Sequence, residues 1–188
     1  VTVLPALTAV GLAAALAGCA LISMDEAGDG WSAAGASGSS LTADDGVIAD
    51  EASIGIDADV PAITKLDPEL RAAVEAAAAA AAEDGELLLI TSGWRSTAYQ
   101  EHLIAEAIVT YGSEEVARRY VAPADRSSHL TGDAVDIGPL DAQFWLMEHG
   151  FEYGLCQTYA NERWHFELAT PPGEPCPPMR ADASADWS

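Results

Sequence analysis

The run Trp164-His165-Phe166-Glu167-Leu168 alternates apolar and polar side chains with the period of two that belongs to an extended strand. Trp164, Phe166 and Leu168 share one face, and His165 points to the other. Val135-Asp136-Ile137 repeats the pattern, with Asp136 opposed to Val135 and Ile137. Two such strands each need a layer of helices over their apolar face. Their polar residues, His165 and Asp136, are then free to project toward one cleft.

The rest of the chain supplies that layer. Asp67 followed by Pro68 reads as an N-cap and a first helical residue. The alanine-rich stretch to about Glu83 follows, with Leu70, Val74 and Ala78 on one face, and Asp84-Gly85 ends it. Leu87 to Thr91 reads as a short buried strand. Ser96 caps a second helix through Ile108, and Ser113 starts a third through Tyr120. Ala134 to Ile137 is a strand, Leu140 to His149 a helix, and strands are expected around Tyr153 and from Arg163 to Leu168. Helices and strands in this order predict an α+β domain with a small antiparallel sheet and flanking helices.

Two stretches carry the chemistry, Ser127 to Asp136 and Glu162 to His165. Together they offer His129, Asp136, His165 and Glu162: three ligands of the kind that hold a catalytic zinc ion with an open fourth position, and a carboxylate to act on water. His129 is expected on the loop before the Asp136 strand, where Gly132 lets the backbone turn closely. Glu162, three residues before His165, cannot share its face on a regular strand and is placed on the loop Tyr159-Ala160-Asn161 that enters it. His102 and His149 fall on helices without partners and read as structural. Trp94 and Trp164 read as core or cleft wall.

Residues 1–22 hold no charged side chain, and Leu16-Ala17-Gly18-Cys19 resembles a lipobox. The reading is a lipoprotein signal segment over 1–22 with Cys19 as the lipidated residue, on an exported protein anchored to the outer face of a bacterial cytoplasmic membrane. No Lys or Arg precedes the apolar run; an alternative start codon or an upstream truncation, either of which would leave a basic segment outside the sequence, is the expectation that Val1 raises. Residues 23–60 read as an acidic Gly/Ser-rich linker: from Met24 to Val60 there are nine Asp or Glu and no Lys or Arg. About 40 flexible residues span roughly 35 Å, enough for a tether. The domain is placed at 61–170, with a Pro-rich irregular tail over 171–188. Cys156 and Cys176, an even pair once Cys19 is lipidated, predict a disulfide. The net charge of −22 argues against nucleic acid as a partner. A monomer is expected.

These stretches resemble the zinc-dependent D-alanyl-D-alanine carboxypeptidases of the VanY/VanX type. The motif S-x-H-x-x-G-x-A-x-D is met by Ser127, His129, Gly132, Ala134 and Asp136, and E-x-W-H by Glu162, Trp164 and His165. A third element, S-G-aromatic-R-S followed by Gln, is met by Ser92-Gly93-Trp94-Arg95-Ser96 and Gln100. The resemblance spans roughly Leu66 to Leu168 and implies a Hedgehog/DD-peptidase-like fold. It implies His129, Asp136 and His165 as zinc ligands, Glu162 as catalytic base, and Arg95 as the substrate arginine, gripping a terminal carboxylate or steadying an oxyanion. Ser127 and Gln100 are implied as peptide contacts. The implied substrate is a peptidoglycan stem peptide ending in D-Ala. An L,D-carboxypeptidase or a D,D-dipeptidase would share this site, and a non-catalytic cell-wall-binding lipoprotein would have no need of Glu162. Arg163 stands where Pro often lies in the family.

Overall fold

The structure, a computed structural model, describes residues 40–49 and 52–188. Cys19 and the apolar run around it lie outside the described residues. Among the described residues, no helix is long and apolar enough to cross a membrane.

Among the described residues six helices and four strands follow one another along the chain: α1 (Pro61–Thr64), α2 (Pro68–Glu83), β1 (Ile90–Ser92), α3 (Thr97–Tyr111), α4 (Glu114–Ala117), α5 (Ser128–Thr131), β2 (Ala134–Ile137), α6 (Leu140–His149), β3 (Leu155–Gln157) and β4 (His165–Leu168). The strands form one antiparallel sheet in the order β1-β2-β4-β3. Its apolar face meets α2 and α6. Leu70 and Val74 of α2 and Leu146 of α6 join Ile90, Val135, Ile137, Leu155 and Phe166 of the sheet in a single core. Phe166 is fully buried there, so Phe166→Ala would cost about 3–5 kcal/mol.

Local chemistry sets the helix ends. Asp67 Oδ1 accepts from the amides of Glu69 (2.8 Å) and Leu70 (3.1 Å), and Pro68 opens α2. Alanine's high helix propensity carries α2 onward, and its buried positions are Leu70, Val74, Ala77 and Ala81. Asp84 then closes it, and its carboxylate accepts from Trp145 Nε1 at 2.8 Å, tying α2 to α6.

Four sequence expectations shift. The strand placed at Leu87 to Thr91 is formed by Ile90–Ser92. The strand expected around Tyr153 is a 3-10 turn, Gly150–Tyr153, and Gly154 at φ 80° sets β3 two residues later. Residues 42–49 and 52–60, read from composition as linker, lie against the domain instead. Thr42 caps a 3-10 turn over Ala43–Asp45, Ile54 exchanges two backbone hydrogen bonds with Ile90, and Ile56 enters the core. The tail beyond residue 170 is also tied down. Cys156 and Cys176 are joined by a disulfide. A 3-10 turn over Ala183–Trp187 docks on residues 119–121 through Ala183 N to Arg119 O (3.3 Å) and Trp187 Nε1 to Val121 O (3.0 Å).

Candidate metal centre

The register of β2 against β4 builds the site. Asp136 lies directly opposite His165, while Val135 faces Phe166 in the core. Side chains at directly opposed positions of antiparallel strands sit about 4.5–5.5 Å apart at Cβ. Asp136 and His165 therefore meet on the face away from the core. His129 reaches them from α5, a one-turn helix where the sequence suggested a loop. Ser127 is its N-cap residue and Gly132 its left-handed end at φ 82°. A Cβ on Gly132 would meet Lys65 O at 2.5 Å, so only glycine lets this turn settle against the entry to α2.

His129 Nε2 stands 3.4 Å from Asp136 Oδ1 and 3.3 Å from His165 Nδ1, and His165 Nδ1 stands 3.2 Å from the same Asp136 oxygen. The three ligand atoms lie within 4.8 Å of one another, and all three residues are buried. The outer ring nitrogens are also held. His129 Nδ1 lies 2.8 Å from Gly93 O; a carbonyl can only accept, so Nδ1 carries the proton and Nε2 presents its lone pair. His165 Nε2 lies 2.8 Å from Glu167 Oε1, and Ser128 Oγ donates to the same oxygen at 2.9 Å. A histidine whose far nitrogen donates to a carbonyl or carboxylate is the usual supporting arrangement of a metal ligand.

Burial, aided by the Arg95 cation, pushes the His129 pKa down to about 4, so the ring is neutral. Burial would raise Asp136, but His129 and the Arg95 guanidinium hold its carboxyl well below the usual range. Burial would lower His165, yet the Asp136 and Glu167 carboxylates on its two nitrogens raise it to about 9, so in the metal-free chain the ring carries a proton that a metal ion bound at Nδ1 would displace. Two imidazole nitrogens and one carboxylate oxygen, converging with their orientations fixed, fit a zinc ion with one position open.

Glu162 sits beside this cluster in the turn entering β4, as its spacing required. Its amide donates to Tyr159 O at 3.2 Å. The side chain is buried, and Oε1 has no hydrogen-bond partner among the described residues. Burial, with the Asp136 charge adding to it, raises the carboxyl to about 7. An unpaired buried carboxylate oxygen is costly unless it has work to do.

Arg95 forks across the cleft. Its Nε donates to Ser92 Oγ at 2.7 Å, Nη1 to Gln100 Oε1 at 3.1 Å and Nη2 to Asp136 Oδ2 at 2.5 Å. Gln100 is almost wholly buried, and its amide nitrogen donates to Ala122 O at 2.8 Å. Gln100 therefore orients Arg95, and it also lines the cleft. Ser127 lines the cleft and makes no side-chain capping bond. Trp164 is partly exposed on the cleft wall. Trp94 is fixed by Nε1 donating to Leu130 O at 3.0 Å, with Lys65 Nζ 3.6 Å over its ring.

The model of the VanY family, D-alanyl-D-alanine carboxypeptidase, matches residues 63–170, more than half of the chain. The chain belongs to the VanY family. It is by membership an enzyme of the D-alanyl-D-alanine carboxypeptidase class. No curated protein matches it in sequence. Among solved structures it is similar to a vancomycin-resistance D,D-pentapeptidase VanY, a Glu-to-Ala mutant from a VanB-type resistance cassette in complex with Zn(II). The TM-score is 0.52 and the identity 24%, over 54% of this chain and 71% of that one. VanYB in complex with D-alanine-D-alanine gives the same TM-score and identity over 54% and 70%. An L,D-carboxypeptidase, DacB from Streptococcus pneumoniae, is 27% identical over 54% and 65% with a TM-score of 0.45. The two VanY likenesses establish the shared fold, the small antiparallel sheet with flanking helices of the Hedgehog/DD-peptidase type.

Three contributors escaped the sequence reading. Glu167 was legible: two residues beyond His165 on a strand, it must share its face. Ser128, the partner of Glu167, and Gly93 O, which fixes His129, depend on contacts between elements far apart in sequence.

Proposed function

We propose that the chain is a zinc D,D-carboxypeptidase that removes terminal D-Ala from peptidoglycan stem peptides. The observation that carries this reading is the convergence of His129, Asp136 and His165 beside the buried, unpartnered Oε1 of Glu162. Those three residues would hold the zinc ion, which supplies a Lewis acid that polarises a peptide carbonyl and acidifies water.

Glu162 is the proton shuttle. Its carboxylate takes a proton from the attacking water as the water oxygen bonds to the carbonyl carbon. As the carbon–nitrogen bond breaks, Glu162 gives that proton to the leaving amine. A pKa near 7 suits both transfers, because neither form is strongly favoured at neutral pH. Arg95 presents a planar fork suited to the terminal carboxylate of D-Ala. Ser92 and Gln100 fix that fork. Ser127, which lines the cleft and whose hydroxyl makes no capping bond, hydrogen-bonds the peptide.

The reading extends to location. The apolar run ending in Leu16-Ala17-Gly18-Cys19 supports lipidation at Cys19 and an exported, membrane-tethered enzyme with access to stem peptides. Incubation with a pentapeptide, a tetrapeptide and free D-Ala-D-Ala, with and without a chelator, tests the activity. D-Ala release from the pentapeptide that stops with chelator is expected. Release that resists chelation refutes the metal mechanism, and release from the tetrapeptide alone points to L,D-specificity.

A further inference from the structure

The tail lies beyond the part of the chain that matches the family, residues 63–170, yet it touches the working loop. Arg180 pairs with Tyr159 as an isolated parallel bridge. Ala160 N donates to Arg180 O at 2.8 Å, and Arg180 N donates to Thr158 O at 2.9 Å. The Arg180 side chain then folds back. Its guanidinium lies 4.4 Å over the Tyr159 ring, Nη2 donates to the Tyr159 hydroxyl at 2.9 Å, and Nη1 pairs with Asp186. Tyr159 OH donates to Asp186 Oδ2 at 2.7 Å. The buried Tyr159 ring packs 5.0 Å from His165, and its carbonyl receives the Glu162 amide.

The same tail holds the opposite wall. Asp182 Oδ2 accepts from Arg119 Nε at 2.9 Å, and Asn161 Nδ2 donates to Arg119 O at 2.8 Å. Ala183 is buried and lines the cleft along with Val121 and Glu162. The disulfide from Cys176 to Cys156 of β3 fixes where this strap starts.

We propose that residues 176–187 form a strap that positions the Glu162 loop, with Tyr159, Arg180 and Asp186 as positioning residues. The strap locks the 158–162 turn from outside, through backbone bonds to Arg180 and the Tyr159–Arg180–Asp186 brace. It thereby holds Glu162 at a constant offset from the strand that bears His165. This rests on the role given to Glu162 above.

Tyr159→Phe and Asp186→Ala, made in the zinc-loaded full chain and assayed on a pentapeptide ending in D-Ala-D-Ala, test it. In each, kcat is expected to fall about tenfold with KM within about twofold of wild type, since misplacing a catalytic group affects the chemical step. Amide hydrogen exchange at 158–163 is expected to quicken while Ala134–Ile137 keeps its protection. Asp186→Asn, which retains an acceptor for the Tyr159 hydroxyl, should recover most of the kcat. A strap that merely added stability would leave the kcat of folded enzyme unchanged. Wild-type kcat in both variants overturns the proposal, and so does unchanged exchange at 158–163. If the wild-type chain releases no D-Ala, the functional reading fails, and the exchange comparison alone then decides the brace.

Discussion

Substituting Glu162 by Gln should reverse a pH-dependent cost that this residue imposes on the metal-free protein. Glu162 is 5% exposed, and its carboxyl titrates near 7 in the folded chain against an ordinary 4.5. Below pH 4.5 both folded and unfolded chains carry the proton, and the residue contributes no pH dependence. Between 4.5 and 7 the unfolded chain loses the proton while the folded chain keeps it, so stability falls as pH rises. Above 7 the folded chain must bear a buried charge, and the full loss of roughly 3 kcal/mol has accrued. The glutamine side chain of the variant never ionises. The stability of Glu162→Gln minus that of wild type should therefore grow by about 3 kcal/mol from pH 4.5 to pH 8. Asp136 and His165 titrate in both proteins, and their coupling to the Glu162 charge is part of what the difference reads. Urea unfolding with the disulfide oxidised and a chelator present, at four or five pH values, measures the difference. A flat difference, or one that grows toward acid, would refute the assignment of Glu162 as a buried carboxyl short of hydrogen-bond partners.

Other outcomes follow from the same geometry. With zinc present, Glu162→Gln should keep about one metal per chain by elemental analysis and lose at least about a hundredfold in kcat, the range of general acid–base catalysis. His165→Ala should lose the metal outright under the same analysis. Gly132→Ala forces a Cβ against Lys65 O at 2.5 Å in a left-handed turn, and should cost more than about 2 kcal/mol in chemical denaturation. Replacing Cys156 and Cys176 by Ser opens a loop of 20 residues and should cost about 3 kcal/mol in the same assay.

Much of the site was legible because it rides on regular strands. Alternation alone put Asp136 and His165 on a shared face, and the paired register of β2 and β4 shows the two directly opposed. The position of Glu162 off the strand also followed from spacing. What escaped has physical causes. Residues 42–49 and 52–60 look like linker because their attachment to the domain uses backbone amides and an Asp45–Ser96 contact, which leave no hydrophobic pattern, and a few isoleucines scattered among Gly, Ala and Asp. The tail looks irregular because prolines dominate it, yet a disulfide and the Arg180 contacts hold it without regular structure. Gln100 reads as a polar cleft residue and does line the cleft; what its residue type did not reveal is that both ends of its buried amide are committed, to Arg95 and to Ala122 O.

The opposition of Asp136 to His165 has a consequence for how this protein can fail. Val135 and Phe166 are the adjacent opposed pair, so a slip of one residue between β2 and β4 would turn one strand over relative to the other, sending one ligand into the core and one core residue into the cleft. Hydrophobic assembly and ligand assembly are thus one decision, made once during folding. A chain that brings the three ligand atoms together has, by that fact, paired these two strands in register.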